Sequence, residues 1–296
     1  MATLTISNEE EKRVKALGFL SNKGTDAFSG RVITRNGMVT ADEMRCMVEA
    51  AEKYGNGNLS LTTRLTVECQ GIPFEQIDNF RTHLATAGLE TGGTGAKVRP
   101  IISCKGSTCQ YGLIDTFWLS REIHERFYTG LGDLALPHKF KIAVGGCPNN
   151  CMKPDLNDLG IIGQSVPVVN PELCKNCKIC GVKKNCGIEA VQLDNGVIGI
   201  NREKCKNCGL CIGKCPFDAV VGGEIGYQIV IGGRWGKQVA IGKPLRRIFT
   251  EPEDVLKLVE KIIFFYQEQG LPKERFAQTI ARLGFETVEA MLLADL

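Results

Sequence analysis

Between Cys174 and Cys215 the chain writes one cysteine pattern twice. Cys174, Cys177 and Cys180 stand with two residues between neighbours, and Cys205, Cys208 and Cys211 repeat that spacing. Each triplet is followed by a fourth cysteine, Cys186 and Cys215, the latter immediately before Pro216. The pattern restricts the backbone severely, because three thiolates on so tight a turn reach three irons of one cubane while the fourth ligand arrives from the opposite repeat. The spacing therefore assigns Cys174, Cys177, Cys180 and Cys215 to one [4Fe-4S] cluster, and Cys205, Cys208, Cys211 and Cys186 to another. Structural zinc also takes four thiolates, but usually from paired Cys-x2-Cys knuckles rather than triplets. Iron-sulfur is the better reading.

The whole chain holds 14 cysteines in 296 residues. In a short secreted protein that number would mean disulfides, but this chain is long and keeps twelve of the fourteen in close-spaced clusters. Residues 1–11 are polar and acidic, with neither the basic nor the apolar stretch of a secretory signal. Metal ligation and a cytoplasmic location are the expectations. No apolar run approaches the ~20 residues that cross a bilayer, so no membrane span is expected. A formal charge of +3, with acids and bases interspersed, lacks the basic stripe of a nucleic-acid binder.

Thr40-Ala41-Asp42-Glu43 is a capping box, and the apolar residues after it predict a helix over 40–54, stopped by Gly55. Residues 31–35 and the Thr-, Leu- and Val-rich 59–69 predict strands on either side. Pro73 opens a second helix that Gly88 ends. Residues 98–103 read as a third strand, 110–128 as a long helix ending at Gly130, and 140–144 as a strand running into Gly145-Gly146-Cys147. Between Pro171 and Gly222, Cys, Lys and Gly dominate and long apolar periodicity disappears, which marks an inserted module. Beyond it, 227–231 resumes as strand, 251–269 as helix and 273–296 as two shorter helices. Strands alternating with helices on both sides of the insert predict one α+β domain interrupted by it. The expected division is 1–90, an N-terminal α/β half; 91–168 with 223–296, a second α/β domain; and 169–222, the insert.

A second cysteine set, Cys104-Lys-Gly-Ser-Thr-Cys109 and Cys147-Pro-Asn-Asn-Cys151, lies outside the insert at the ends of two expected strands. Four thiolates suffice for a third [4Fe-4S] cluster. Together with Leu61-Thr62-Thr63-Arg64-Leu65-Thr66, Gly71-Ile72, Leu136-Pro137-His138-Lys139-Phe140-Lys141, Gly145-Gly146 and Gly232-Gly233-Arg234, these loops resemble the siroheme-dependent sulfite and nitrite reductases over about 31–163 and 227–269. Four residues separate Cys104 from Cys109 where that family commonly has five. The insert resembles a bacterial two-cluster ferredoxin along its whole length, with five residues before Cys186 and Gly187 in place of a proline after it.

The resemblance implies a fold of one sulfite-reductase-type repeat, a ferredoxin-like α/β half plus a siroheme-binding α/β domain, carrying an inserted bacterial 2[4Fe-4S] ferredoxin domain. It implies that Cys104, Cys109, Cys147 and Cys151 hold the third cluster and that Cys151 is shared with the siroheme iron. It places Arg64 on siroheme carboxylates and Arg31, Arg99, Lys139 and Lys141 around a small anionic substrate. Lys139 and Lys141 lie two apart on an expected strand, so they share a face. The implied activity is the six-electron reduction of sulfite to sulfide by an anaerobic, ferredoxin-fused sulfite reductase. Nitrite is the alternative substrate, and a siroheme-free electron-transfer subunit is the rival of a different class. Full-length members of the family carry two such repeats, so one repeat here implies a homodimer or a larger complex. The Gly-rich runs 91–95 and 222–226 lack a full G-x-G-x-x-G. Electrons are therefore expected from an external donor, such as a ferredoxin or a flavin/NADH-linked subunit.

The remaining chemistry-bearing residues have plainer readings. Cys46 and Cys69 are expected as small core residues, and Trp118 and Trp235 as core aromatics. His83 and His124 are expected in packing roles, and His138 to face away from the substrate. Arg35, Lys97 and Lys105 are expected to be solvated charges.

Overall fold

The computed structural model describes residues 6–294, so part of the N-terminal stretch read as signal-free lies outside the described residues. Its first element, α1 (Asn8–Ala16), was not expected: the Ser7 hydroxyl accepts the Glu10 N–H at 3.2 Å, and the Glu10 carboxylate accepts the Ser7 N–H at 3.0 Å. β1 (Phe19–Ser21) and β2 (Phe28–Val32) follow, then α2 (Ala41–Tyr54). The α2 capping box closes as its sequence predicts, with Thr40 N–H on Glu43 at 2.7 Å and Glu43 N–H on Thr40 at 3.2 Å. β3 (Leu59–Leu61), β4 (Val67–Ile72) and α3 (Ile77–Ala85) complete the first run. The four strands form an antiparallel sheet in the order β1-β2-β4-β3. The single strand expected over 59–69 is thus a hairpin, folded back at Leu65, which takes φ 57° while its N–H reaches Thr62 O.

Next come β5 (Ile102–Ser103), α4 (Thr116–Ile123) with a π-helical continuation over His124–Thr129, β6 (Ile142–Gly145) and β7 (Leu159–Val169). They are followed by α5 (Gly181–Lys184), β8 (Val191–Asp194), β9 (Val197–Ile200), β10 (Val220–Ile231) and β11 (Lys243–Phe249). The chain then runs through α6 (Pro252–Gln269), α7 (Phe276–Leu283) and α8 (Phe285–Leu293). A second sheet has the order β11-β10-β7-β6-β5, and β8 pairs with β9 as a separate hairpin. The strand expected over 98–103 survives only as β5 and a single bridge from Val98 to Phe140; Pro100 lies between them and has no N–H to give a ladder. The helix expected over 110–128 begins only at Thr116. The preceding residues form turns, with Gly112 N–H on Cys109 O and Leu113 N–H on Gly146 O. Neither β7 nor β11 was expected, because the glycines and Pro167 of β7 read as breakers although most of its residues are buried.

The chain divides into two compact units, the first holding residues up to Ser103, Ser120–Ile142 and Glu260–Val288, the second Cys104–Leu119, Ala143–Val259 and the residues from Glu289 onward. In the first, Met47, Ala50 and Ala51 of α2 and Phe80 and Leu84 of α3 close over Phe19, Phe28, Val67, Cys69 and Ile72 of the sheet. Phe19 and Phe80 meet edge to face at 5.9 Å. Each such ring contributes roughly 1.5–3 kcal/mol by leaving water. Phe140, Tyr266 and Phe276 form a second aromatic group in the same unit, with centroids 5.2–5.6 Å apart. In the second unit, residues 171–220 carry a small core of Val182, Val191, Ile198, Cys211, Ala219 and Val220. Cys46 and Cys69 are buried as expected, whereas Trp118 and Trp235 are 39% and 63% exposed and belong to no core. No helix among the described residues is long and apolar enough to cross a membrane.

Candidate functional site

The cysteines of the second unit fall into three groups, each carried on turns and loops between regular elements. Cys186, Cys205, Cys208 and Cys211 line one cavity of 320 Å³, and Cys174, Cys177, Cys180 and Cys215 line another of 250 Å³. These are the two sets of four that the spacing assigns. Backbone N–H groups already point at sulfur: Ala190 N–H at 3.2 Å from Cys186 Sγ and Asn207 N–H at 3.4 Å from Cys205 Sγ. Burial pushes the Cys211 thiol up, and the fields of Cys205, Cys208 and Cys186 add to the rise. No disulfide joins any of the fourteen cysteines. Among the described residues no three His, Cys, Asp or Glu side chains close on a single-ion site; the thiols ring volumes larger than one ion.

The outer set is built by two loops that lock onto one another. β5 delivers Cys104, whose N–H reaches Val144 O at 3.1 Å, and β6 delivers Gly146, whose N–H reaches Cys104 Sγ at 3.1 Å. Thr116 Oγ1 donates to Cys104 O at 2.8 Å, and the Phe117 N–H donates to Ser107 Oγ at 3.0 Å, so the start of α4 fixes the first loop. A Cβ on Gly146 would lie 2.8 Å from Gly106 Cα and 3.4 Å from Cys104 Sγ, so only glycines let the loops approach. Burial raises the Cys147 thiol; the Asn149 N–H opposes this, and the fields of Cys104, Cys151 and Cys109 reinforce it. All four outer cysteines are thus electrostatic neighbours, with Cys151 the exposed member.

The expected cations are in the first unit. Arg31 pairs with Glu68 at 2.6 Å and donates from Nη1 to Gly93 O at 3.0 Å. Arg99 Nη1 donates to the same carbonyl, and its buried Nε has no hydrogen-bond partner. Gly93 permits this shared acceptor: its φ is 75°, and a Cβ there would meet Pro100 Cγ at 2.9 Å. Burial, then the neighbouring Arg31 charge, lowers Arg99 to about 10, so it stays cationic at neutral pH. Lys139 and Lys141 flank Phe140, and Lys97 and Arg99 flank Val98; the two segments are joined by Arg99 N–H to Phe140 O at 2.8 Å and Phe140 N–H to Lys97 O at 3.0 Å. Phe140 and Val98, which pair in a single bridge, are both buried. Arg64 stands on the β3–β4 turn and donates from Nη2 to Pro100 O at 2.6 Å and to Ile142 O at 3.3 Å.

The packing roles expected of His83 and His124 are met. His83 packs edge-on against Tyr54 at 5.7 Å, and His124 lies over Tyr128 at 4.7 Å, where burial lowers its pKa to about 4. His138 Nδ1 accepts the Lys139 N–H at 2.7 Å. Arg35 is ion-paired with Glu43 rather than solvated alone, and Lys97 donates to Gly132 O. Sequence reasoning missed Tyr128, whose hydroxyl accepts the Gly93 N–H at 3.1 Å and thereby braces the carbonyl that orients both arginines. Its only signal was a lone tyrosine near the end of an expected helix.

The sequence model of the nitrite and sulphite reductase 4Fe-4S domain matches residues 94–295, and that of the nitrite/sulfite reductase ferredoxin-like half domain matches residues 21–87. An uncharacterised protein of Methanocaldococcus jannaschii is 31% identical over 89% of this chain and 90% of its own length. The coenzyme F420-dependent sulfite reductase of the same organism is 32% identical over 84% of this chain, which spans only 39% of that larger protein. The crystal structure of dissimilatory sulfite reductase I superposes with a TM-score of 0.71 at 21% identity, over 90% of this chain and 69% of that one, a likeness of fold. The chain belongs to the nitrite and sulfite reductase family.

Proposed function

We propose that the chain catalyses the siroheme-dependent, six-electron reduction of sulfite to sulfide, with electrons supplied through residues 169–222 acting as an inserted two-cluster ferredoxin. The observation that carries this reading is the outer cysteine set: four thiols on two mutually locked loops, in a chain matched by a 4Fe-4S domain, with a backbone N–H already directed at Cys104 sulfur. The donor set fits a [4Fe-4S] cluster, since N–H groups directed at ligating sulfur tune such clusters and the Gly106–Gly146 contact keeps side chains out. The orphaned Nε of Arg99 fits an anionic group, because a buried guanidinium donor without an acceptor is costly.

In this reading Cys104, Cys109, Cys147 and Cys151 hold the cluster, Cys151 is shared with siroheme, and Arg64 holds siroheme carboxylates. Siroheme would supply a Lewis-acidic iron and the redox chemistry. The chain's own residues supply charge and protons. Arg99, fixed at Gly93 O beside Arg31, and Lys139 with Lys141 form a preorganised cationic face for a small oxyanion. Bisulfite takes six electrons and six protons and leaves as hydrosulfide and three waters, so the lysines or their bound waters also have protons to deliver. The ion pair with Glu68 holds Arg31 in place and offsets part of its charge.

The proposed division is 1–90, 91–168 with 223–296, and 169–222. A homodimer, or assembly with a second subunit, would restore the two repeats of full-length members, and light scattering of an active monomer would count against it. Nitrite is the second reading, because the same cations suit either anion. Steady-state turnover of both anions with a reduced dye under anaerobic conditions tests the choice: sulfite turnover should exceed nitrite turnover, and the reverse order makes the chain an ammonia-forming nitrite reductase.

A further inference from the structure

The two four-cysteine cavities of 171–219 differ in what else lines them. The cavity of Cys186, Cys205, Cys208 and Cys211 takes part of its wall from Pro148 and Asn149, which lie between the outer cysteines Cys147 and Cys151. A further 260 Å³ cavity brings Cys147 and Asn149 against Cys208, Gly209 and Leu210. The contact is pinned by the backbone, with the Ser165 N–H of β7 donating to Asn207 O at 2.7 Å. By contrast, the cavity of Cys174, Cys177, Cys180 and Cys215 is lined only by residues within 174–219. One end of the module faces the outer set, and the other is its free end.

The free end has a distinct surface. Ile179, between two cysteines, is 79% exposed, and Cys177 two residues before it and Leu173 six residues before it are exposed as well. Lys175, Lys178 and Lys214 are exposed, and 174–184 holds four lysines and no acid. Residues 171–219 carry seven lysines and one arginine against five acids, which accounts for the whole formal charge of +3 of the chain. Ile179 shares the lining of the free-end cavity with Lys175 and Lys214, and an exposed apolar side chain among basic ones suits a transient protein contact.

We propose that the rim of Lys175, Lys178, Ile179 and Lys214 is the docking surface for a small acidic one-electron carrier protein, so that electrons enter the chain at the Cys174 end and leave the module at the Cys208 end. The inference rests on the reading of 169–222 as a two-cluster module. Each encounter oxidises the carrier by one electron and reduces the Cys174-end site by one, so six encounters serve one sulfite. Opposite charge accelerates such encounters and makes them salt-sensitive, while the exposed Ile179 gives the complex a dry centre beside the acceptor.

The test uses the whole anaerobically prepared protein and a reduced acidic [2Fe-2S] ferredoxin as the probe. Stopped-flow oxidation of the ferredoxin should slow with rising salt. It should fall roughly tenfold to a hundredfold at low salt in the double variant Lys178→Glu, Lys214→Glu. The equal charge change Lys12→Glu, Lys15→Glu on α1 should leave it unaltered. Carbodiimide cross-links between ferredoxin carboxylates and this chain should map to Lys175, Lys178 and Lys214. Equal slowing in both double variants, or cross-links concentrated elsewhere, overturns the docking surface. Iron content separates the two levels: if Cys177→Ser loses no iron the module reading itself fails, and if it loses iron while Lys178→Glu, Lys214→Glu changes nothing, only the docking surface fails.

Discussion

The core beneath α2 and α3 and the core of residues 171–220 are closed by different means. The first is filled by Phe19, Phe28, Met47, Ile72 and Phe80, large side chains that lie within a percent or so of full burial. The second holds Val182, Val191, Ile198, Ala219 and Val220, and the partly buried residues packed around it include Cys174, Cys180, Cys186 and Cys215. Those cysteines are the proposed ligands. A module of about fifty residues with so few apolar side chains cannot offset its chain entropy by burial alone, whereas metal ligation contributes folding free energy directly. The sheet unit is therefore expected to fold by its own packing, and the cysteine module by packing plus clusters.

The largest expected effect follows from removing iron. After chelation, amide exchange across 171–219 should approach that of an unfolded segment while 28–84 keeps its protection; uniform loss, or none, would erase the contrast. Phe80→Ala should show the converse, costing ~3–5 kcal/mol in denaturant unfolding of the first unit with iron content unchanged. A smaller effect separates charge from packing within that unit. The Arg282 guanidinium, with the Leu271 N–H and Thr279 hydroxyl, holds the Glu274 carboxyl down at about 2 from an ordinary 4.5. A depressed carboxyl stabilises the fold above its unfolded value and loses that contribution as pH falls through the folded one. Glu274→Gln should therefore cost ~1–2 kcal/mol at neutral pH, with the difference from the parent protein shrinking between pH 4.5 and about 2. Thr40→Ala, which opens the α2 capping box, should cost about 1 kcal/mol by thermal unfolding and leave the cysteine module untouched.

The same contrast explains what could be read from the sequence. Cysteine spacing is a local geometric demand, so the partition into Cys174, Cys177, Cys180 with Cys215 and Cys205, Cys208, Cys211 with Cys186 was legible without coordinates. The α2 helix was legible for the same reason, because its capping box is contained in four residues. β7 was not: its Gly160, Gly163 and Pro167 look like breakers until ten of its residues are paired with β10. The start of α4 was also hidden, since Gln110–Asp115 has helical composition but is held in turns that deliver Cys109. Trp118 and Trp235 show that aromatic character alone does not place a residue in a core. The Arg31–Glu68 pair and the Tyr128 brace join residues 37 and 35 positions apart or more, which no local pattern announces.

The central claim is that the outer cysteines and the cations serve a siroheme-coupled cluster rather than a wire alone. The absorption spectrum of anaerobically purified protein tests it most directly, because iron and labile sulfide counts fit both. The account predicts tetrapyrrole bands over the broad absorbance of iron-sulfur clusters. Iron-sulfur absorbance without any tetrapyrrole band would contradict it and leave an electron-transfer subunit.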